Sequence, residues 1–596
     1  MILQALVAYY DRSQDMAPAG WERKRIPYVI EIDADGRFVQ LSSLRTGTRA
    51  TEVATSLVPK SETRSGVNAH EKPNLLWDHL GFVLGHAKAD LPKEQEQARK
   101  QFHHFRQRVD ELVEAIPDCP GLLALQKFYL RKEHERVRLD SQWKDAAGIA
   151  GCNVTFRQAE TGQLLAHDAR IRAHVDRVSS ASAPEADGGD LSGTCLVTGE
   201  RDHIERLHAA IGGISAKPAP LAAINDGSLP AFASYGKHQG ENFPVGRTAA
   251  FKYTTALNHL LRPDSRQRLR LGEASCIFWG QEPDDLETGL AAILGLEDDP
   301  DAHTQQVSAL MNAVHSGGFD GARGKNRFHV LGLAPNSARI VVRFWHSASL
   351  AEIATRVREW FDDTALSGGP FDKPYPALRM LLRAVVLQRK DDNVPPTLAG
   401  DVLRAIFEGT ALPALWLNLA VQRCRAEREV PYLRAAVIKA CINRSLRLSN
   451  SHEEVYTAML DTTNTQPAYR LGRLFAVLEK IQEESAGGGL NKTIRDRFYG
   501  AASSTPASVV PMLLKLKNHH LGKLDDRGQR MLYRAFQDHR PDDYIGAVLD
   551  GVGDIPAHLS LPEQGRFALG YYHQRQAFFS KAAPIQTSDT TPLQGN

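Results

Sequence analysis

ARIVVRFWHSASLAEIATRVREWFDD (338–363) holds the change of character that decides the fold. Its first part, through Trp345, is rich in β-branched and aromatic residues and follows a turn signal at Pro335-Asn336. That composition predicts a strand. Its second part sets Ile353, Val357 and Trp360 on one face at helical spacing, which predicts a helix. Strand-like and helical pieces mix on the upstream side. Tyr28–Ile32 and Phe38–Leu41 flank Ala34-Asp35-Gly36, and Asp-Gly between two such runs signals a hairpin. Ile2–Tyr10 suits a short helix. Residues 90–116 place Phe102, Phe105, Val109 and Leu112 on one helical face.

Downstream, helices follow one another between Pro and Gly breaks. Leu471, Leu474, Phe475, Leu478 and Ile481 make one apolar stripe, the mark of a packed helix. Ser560-Leu-Pro-Glu563 reads as a capping box before Phe567, Leu569 and Tyr571. Gly487-Gly488-Gly489 reads as an interhelix loop. The expected class is α+β. A mixed N-terminal α/β region with short antiparallel strands fills 1–348, a helical region 349–458, and an all-α bundle 459–596. SSASAPEADGGDLSG (179–193) lacks large apolar groups and reads as a loop or seam. The last dozen residues read as disordered.

A chain of 596 residues with 42% hydrophobic content can bury a large core. Its formal net charge is only +2, so a nucleic-acid role requires local clustering of cations. The six cysteines have no paired spacing, which points to reduced thiols and a cytoplasmic setting. The N-terminus has no secretion-signal pattern, and no apolar run approaches the roughly 18 residues of a membrane span.

SYGKHQGENFPV (234–245) is the strongest functional signal. Tyr235 offers a face for stacking a base. Lys237 offers charge for phosphate, and Gln239 and Asn242 offer amides for base edges. Gly236 and Gly240 permit close approach or positive φ. Catalytic signatures are weak by comparison. GGFDGARGKN (317–326) has Phe319 and Asn326 where a phosphate-binding loop needs Gly and Ser or Thr. It reads as a flexible basic loop in which Arg323, Lys325 and Arg327 can grip phosphate. Cys195, His203 and His208 could form a zinc site, but no CxxC or HxxxH accompanies them. The His pairs at 103–104 and 519–520 have no nearby carboxylate ligand and read as surface histidines. Lys72 and Asn74 sit before Trp77 in a loop that could reach nucleic acid. In the structural alternative, Trp77 anchors the helix Leu80–Leu84 and Asn74 caps it. No catalytic residue, metal or cofactor is expected.

Several blocks together resemble the large subunit of the type I-C CRISPR interference complex (Cascade). They are MILQALVAYY (1–10), IPYVIEIDADGRFV (26–39), NLLWDHLGFVLG (74–85), CLVTG (195–199), SYGKHQ (234–239) with Asn242, AAFKYTTALNHLL (249–261) and LGLAPNSARIVVRFW (331–345). AYRLGRLFAVLEKIQ (468–482), SSTPASVVPMLLKLKNHHL (503–521) and PAHLSLPEQGRFALGYYHQRQ (556–576) continue the likeness. Where such proteins carry a Gln/Ser/Gly-rich stretch with a following Ser-Phe-Asn, this chain reads AKPAPLAAIND (216–226). Lys217 in that segment and Lys252 in the 249–261 block join the expected nucleic-acid contacts.

The resemblance implies a subunit that reads the protospacer-adjacent motif in duplex DNA, helps open it and holds the displaced strand. It implies a platform for a trans-acting helicase-nuclease. The implied partners are the CRISPR guide RNA, double-stranded target DNA, and backbone, guide-end-capping and small subunits. Two rivals remain from the residues alone: a metal-dependent nuclease, and a scaffold with no DNA contact of its own. The resemblance also suggests that Met459, just before the polar break DTTNTQP (461–467), begins a second, shorter product. Arg470, Arg473, Lys515 and Lys517 would then form its basic face.

Overall fold

The computed structural model describes residues 1–579 apart from 14–15, 48–52, 54, 63, 65–66, 181–191, 216, 224–235, 238, 296–299, 338, 450–452, 488–489 and 491. Most of the expected seam, two of the three glycines at 487–489 and the C-terminal tail lie outside the described residues. In chain order, α1 (Ile2–Arg12) precedes β1 (Trp21–Arg25), β2 (Tyr28–Ile32), β3 (Phe38–Ser43), β4 (Thr55–Pro59) and β5 (Trp77–His79). Next come α2 (Leu80–Leu84), α3 (Pro92–Ala115), α4 (Pro120–Leu130), α5 (Trp143–Gly148), β6 (Asn153–Gln158) and α6 (Ala169–Ser180). A short hairpin, β7 (Ser192–Thr194) and β8 (Arg201–His203), leads to α7 (Arg247–Leu260), β9 (Arg268–Leu271) and β10 (Ala274–Gly280). Then follow α8 (Leu286–Ile293), α9 (Pro300–His315), α10 (Gly321–Lys325), β11 (Arg327–Asn336) and β12 (Arg339–Ser349). The remainder is helical: α11 (Leu350–Thr364), α12 (Leu378–Ala384), α13 (Leu398–Glu408), α14 (Ala414–Glu427), α15 (Tyr432–Leu448), α16 (Pro467–Ser485), α17 (Ile494–Ala502), α18 (Pro506–Leu521), α19 (Asp526–Ala535), α20 (Pro541–Leu549) and α21 (Leu561–Phe579). The α+β class holds, with the change to helix at Leu350.

Two compact units result. Their division differs from cuts after 348 and 458. One unit comprises Ser13–Arg206 and Asp226–Thr255; the other comprises Met1–Arg12, Leu207–Asn225 and Ala256–Asn596. In the first unit, a four-stranded sheet runs in the order β3-β2-β6-β5. The expected β2–β3 hairpin forms. Its turn is closed by the Asp33 carboxylate, which accepts from the N–H groups of Asp35 (3.0 Å) and Arg37 (2.7 Å). Gly36 is required there: φ is +77° and an added Cβ would lie 2.3 Å from the Ala124 carbonyl. β2 pairs with β6 in parallel, a departure from the expected antiparallel strands. α2 to α5 occupy the crossover, as parallel pairing demands. Phe105, Val109 and Leu112 of α3 enter the core of this unit, and Phe102 packs at its margin.

In the second unit, β9 to β12 form an antiparallel sheet in the order β12-β11-β10-β9. α11 starts in a capping box between Ser349 and Glu352, and its Ile353, Val357 and Trp360 are fully buried. α16 and α21 cross very closely. A Cβ on Gly472 would lie 2.0 Å from the Phe567 carbonyl, and one on Gly570 would lie 2.1 Å from that of Tyr469. Glycine at both points lets the backbones touch. α16 is buried all round from Ala468 to Ile481, wider than its apolar stripe predicts. Arg470 and Arg473 are therefore interior. Arg470 donates Nε–H to the Asn464 carbonyl (2.7 Å) and Arg473 to Gln574 Oε1 (3.2 Å). This corrects their expected place on an open basic face. Lys517 pairs with Asp542, and only Lys515 of the four is exposed. One apolar core runs from the β9–β12 sheet through α11 to α21. Gly565 of α21 sits against Leu417, Ile438 and Ile442. A chain starting at Met459 would thus cut a shared core.

Candidate nucleic-acid interface

The described residues of 236–246, all but 238, form a compact turn in the first unit, built on the β7–β8 hairpin. Leu196 N–H donates to the Pro244 carbonyl (2.8 Å), and Glu205 N–H to that of Val245 (2.9 Å). CLVTG (195–199) makes the tip of the hairpin, with Cys195 N–H bonded to the Glu200 carbonyl and Gly199 at φ +79°. Asp202 of β8 accepts from Thr248 N–H (3.1 Å) and so secures the start of α7. An added Cβ on Gly246 would lie 2.4 Å from that carboxylate. The glycines divide by role. Gly236 takes φ +70° with open space around it. Gly240 serves internal packing, since a Cβ there would lie 2.3 Å from the Glu205 carbonyl.

The two amides of the turn also differ. Asn242 Nδ2 donates to the carbonyls of Lys237 and Gln239, each at 3.3 Å. Its nitrogen closes the turn and only its oxygen is left for a ligand. Gln239 Oε1 accepts from Arg206 at 2.7 Å, which leaves its NH2 group available. Gln239 also has φ +41°, a left-handed conformation that costs a non-glycine residue about 1 kcal/mol or more. Such strain gathers at functional sites. Lys237 is exposed beside it. Tyr235 lies outside the described residues. Lys252 is half-buried on α7, next to Phe251, whose ring lies under the Lys60 ammonium at 5.8 Å.

Lys72 is exposed, on a loop pinned by Arg64, which bonds the Lys72 carbonyl (2.7 Å) and pairs with Asp78. Asn74 is only 4% exposed and accepts from Glu62 N–H at 2.9 Å. It ties two loop segments together and is withdrawn from the surface. The cap of α2 is His79, which accepts from Gly81 N–H, and not Asn74. Trp77 does anchor the region, at 1% exposure.

Lys217, in the second unit, is exposed, with its carbonyl accepting from Ser215 Oγ at 2.6 Å. Also in the second unit, 317–326 is no flexible loop. It folds into α10 and leads into β11. Arg323 grips Asp284 through Nε (2.7 Å) and Nη2 (3.0 Å). Burial pushes the Asp284 carboxyl up, but the Arg323 contact and the hydrogen bond from Leu286 N–H together outweigh it and hold it below the usual range. Lys325 and Arg327 are exposed, and Arg327 donates to Ser347 Oγ at 3.2 Å.

The residues weighed for zinc are structural in character. Cys195 is buried and its Sγ accepts from Val197 N–H at 3.4 Å. Burial raises its thiol, yet hydrogen bonds from Gly246, Thr198 and Val197 bring it below the usual value. Burial lowers His208 to about 4. Among the described residues, no three His, Cys, Asp or Glu gather to hold a metal ion. All six cysteines are buried and unpaired. No described helix is long and apolar enough to cross a membrane. Residues 6–579 match the model of the family described as CRISPR-associated protein (Cas_Csd1). The chain belongs to this family. It is therefore a CRISPR-associated protein of the Cascade type, in the family of the type I-C large subunit. That family is one of Cascade subunits and not a known catalytic one, so other Cascade subunits and nucleic acid are its natural partners. No curated protein matches the chain.

One surface escaped the sequence reading. Arg527, Arg530 and Arg534 on α19 are all exposed and unpaired among the described residues. Their i, i+3, i+7 spacing was a readable signal, because it places three charges on one helical face.

Proposed function

We propose that this subunit reads the protospacer-adjacent motif through the 236–246 turn. The observation that carries the reading is the turn's construction. Gln239 is held by Arg206 in a strained backbone, beside the exposed Lys237. A fixed amide NH2 can donate to purine N7 or O6 or thymine O4 in the major groove. The Asn242 oxygen can accept from an exocyclic amine. Lys237 and Lys72 would supply phosphate contacts that set register without reading sequence. A small reader suffices where a guide RNA reads the rest by base pairing, and this agrees with a net charge of only +2.

In this reading the subunit sits in a complex with the guide RNA and the backbone, guide-end-capping and small subunits. It helps open the duplex, stabilises the displaced strand and recruits the helicase-nuclease. It breaks no bond itself; the purified chain with magnesium should leave labelled DNA intact. The decisive experiment is a mobility-shift titration of the assembled complex against every base at each motif position. Gln239→Ala should relax discrimination at one position by about 1–3 kcal/mol. Undiminished discrimination at every position would remove this turn from the reader. Asn242→Ala is less informative, because it also opens the turn.

A further inference from the structure

We propose that the outer face of α19 holds an unpaired nucleic-acid strand, with Arg527, Arg530 and Arg534 on its phosphates and Tyr533 against a base. This rests on the reading of the subunit as a nucleic-acid binder but not on motif recognition by the 236–246 turn. At 3.6 residues per turn the three arginines fall within about 60° of arc and span about 10 Å along the axis. They form a single cationic rail. Tyr533 is 49% exposed on one flank of it and Met531 is 43% exposed on the other. Leu532 and Phe536 turn inward to the core.

Three observations set this face apart from an ordinary solvated surface. First, several cations elsewhere in the same bundle are drawn into ion pairs, Arg566 with Glu453, Arg575 with Glu483, Arg495 with Glu479 and Lys517 with Asp542, whereas none of these three arginines is paired among the described residues. On α19, Asp525 is committed to the helix cap, accepting from Gly528 N–H at 2.6 Å, and Asp526 makes no ion pair. Second, the placement works against the helix. Like charges at i+3 and i+4 repel, and Arg527 stands in the first turn, where the dipole disfavours a cation. A sequence selected for helix stability alone would not put three arginines there. Third, α19 runs into two consecutive left-handed non-glycine residues, Gln537 (φ +52°) and Asp538 (φ +66°), and backbone strain of this kind accompanies functional surfaces.

Cations in a row with an exposed aromatic suit a single strand: the guanidiniums follow the backbone and the ring stacks on a base irrespective of sequence. The full-length chain should be titrated with fluorescein-labelled polythymidine by anisotropy over a range of salt. The triple variant Arg527→Gln/Arg530→Gln/Arg534→Gln should bind about tenfold weaker or more. Its plot of log affinity against log salt should be shallower by about 2, since each lost single-strand phosphate contact removes about 0.7. Tyr533→Ala should weaken binding about fivefold or more at an unchanged salt slope. Arg404→Gln, whose guanidinium is already paired to Glu408, controls for net charge and should behave as the parent. An unchanged slope and affinity in a triple variant with parental circular dichroism would overturn the proposal. So would binding of poly-glutamate through these arginines with no competition from polythymidine, which would make the face a site for an acidic protein. Motif discrimination by the assembled complex should persist in the triple variant, so the two readings fail separately.

Discussion

Asp363 gives the sharpest test of how the helical core is held. Its side chain is fully buried at the end of α11. It accepts from Arg444 Nε (2.9 Å) and from Arg447 Nη1 (2.5 Å) and Nη2 (2.7 Å). The Lys439 ammonium donates to the carbonyls of Asp362 and Asp363, both at 3.0 Å. One carboxylate thus balances cations from three turns of α15. In Asp363→Ala, Arg447 can turn to water, since its side chain is 36% exposed. Arg444 cannot, at 2%. A buried charge that loses its partner costs about 3–5 kcal/mol. We expect a loss of that size, read as a fall in urea midpoint on the order of 1 M by pulse proteolysis. Asp363→Leu combined with Arg444→Leu should recover most of it, because replacing a whole buried pair by apolar groups is often neutral. A loss below about 1 kcal/mol, the worth of a surface pair, would refute the reasoning. So would a double variant no more stable than the single.

Other tests follow from the same contacts. Burial lowers the Lys439 ammonium to about 8 from 10.5, so between those values the unfolded chain binds the extra proton. Stability owed to this residue should be flat below pH 8 and rise by about 2–3 kcal/mol towards pH 10.5; Lys439→Met should abolish that rise, and a pH-independent difference between parent and variant would contradict it. Lys325→Ala should flatten the salt dependence of duplex binding by about one unit. Arg323→Ala should do less, because Asp284 already claims that guanidinium, and the reverse order would show that the ion pair opens for DNA. For the proposed start at Met459, intact mass spectrometry of the native gene's products should find a chain from Met459 to Asn596. Its absence would dismiss that start. If the product exists, its α21 face, stripped of α14 and α15, must be covered by another subunit, and it should aggregate when expressed alone.

Local pattern carried much of the architecture. Apolar residues at helical spacing mark α3, α11 and α16, and Asp-Gly marks the β2–β3 turn, because these signals act over a few residues. Pairing between distant segments left no such mark. Nothing in NVTFRQ (153–158) indicates that it lies parallel to YVIEI (28–32), since a parallel partner is chosen by the packing of the crossover helices. The stripe on α16 also understated its burial. Gly472 and Gly570 bring α21 within backbone contact, and that approach covers the polar side as well, so Arg470 and Arg473 face carbonyls and an amide in place of solvent.

The same limit governs the site. Residue type and spacing indicate which groups could touch a ligand, but availability depends on partners supplied from elsewhere in the fold. Gln239 and Asn242 look alike in SYGKHQGENFPV. In the folded turn one amide presents its nitrogen because Arg206 occupies its oxygen, and the other presents its oxygen because two carbonyls occupy its nitrogen. Asn74 loses its role through Glu62, twelve residues away, and Arg323 is restrained by Asp284, thirty-nine away. The arginines of α19 are the converse case: the spacing in DRGQRMLYRA marks one charged face, but only the fold leaves that face without an acidic partner among the described residues. In a chain of nearly balanced charge, the cations left without a partner by the fold are the ones free to meet a phosphate.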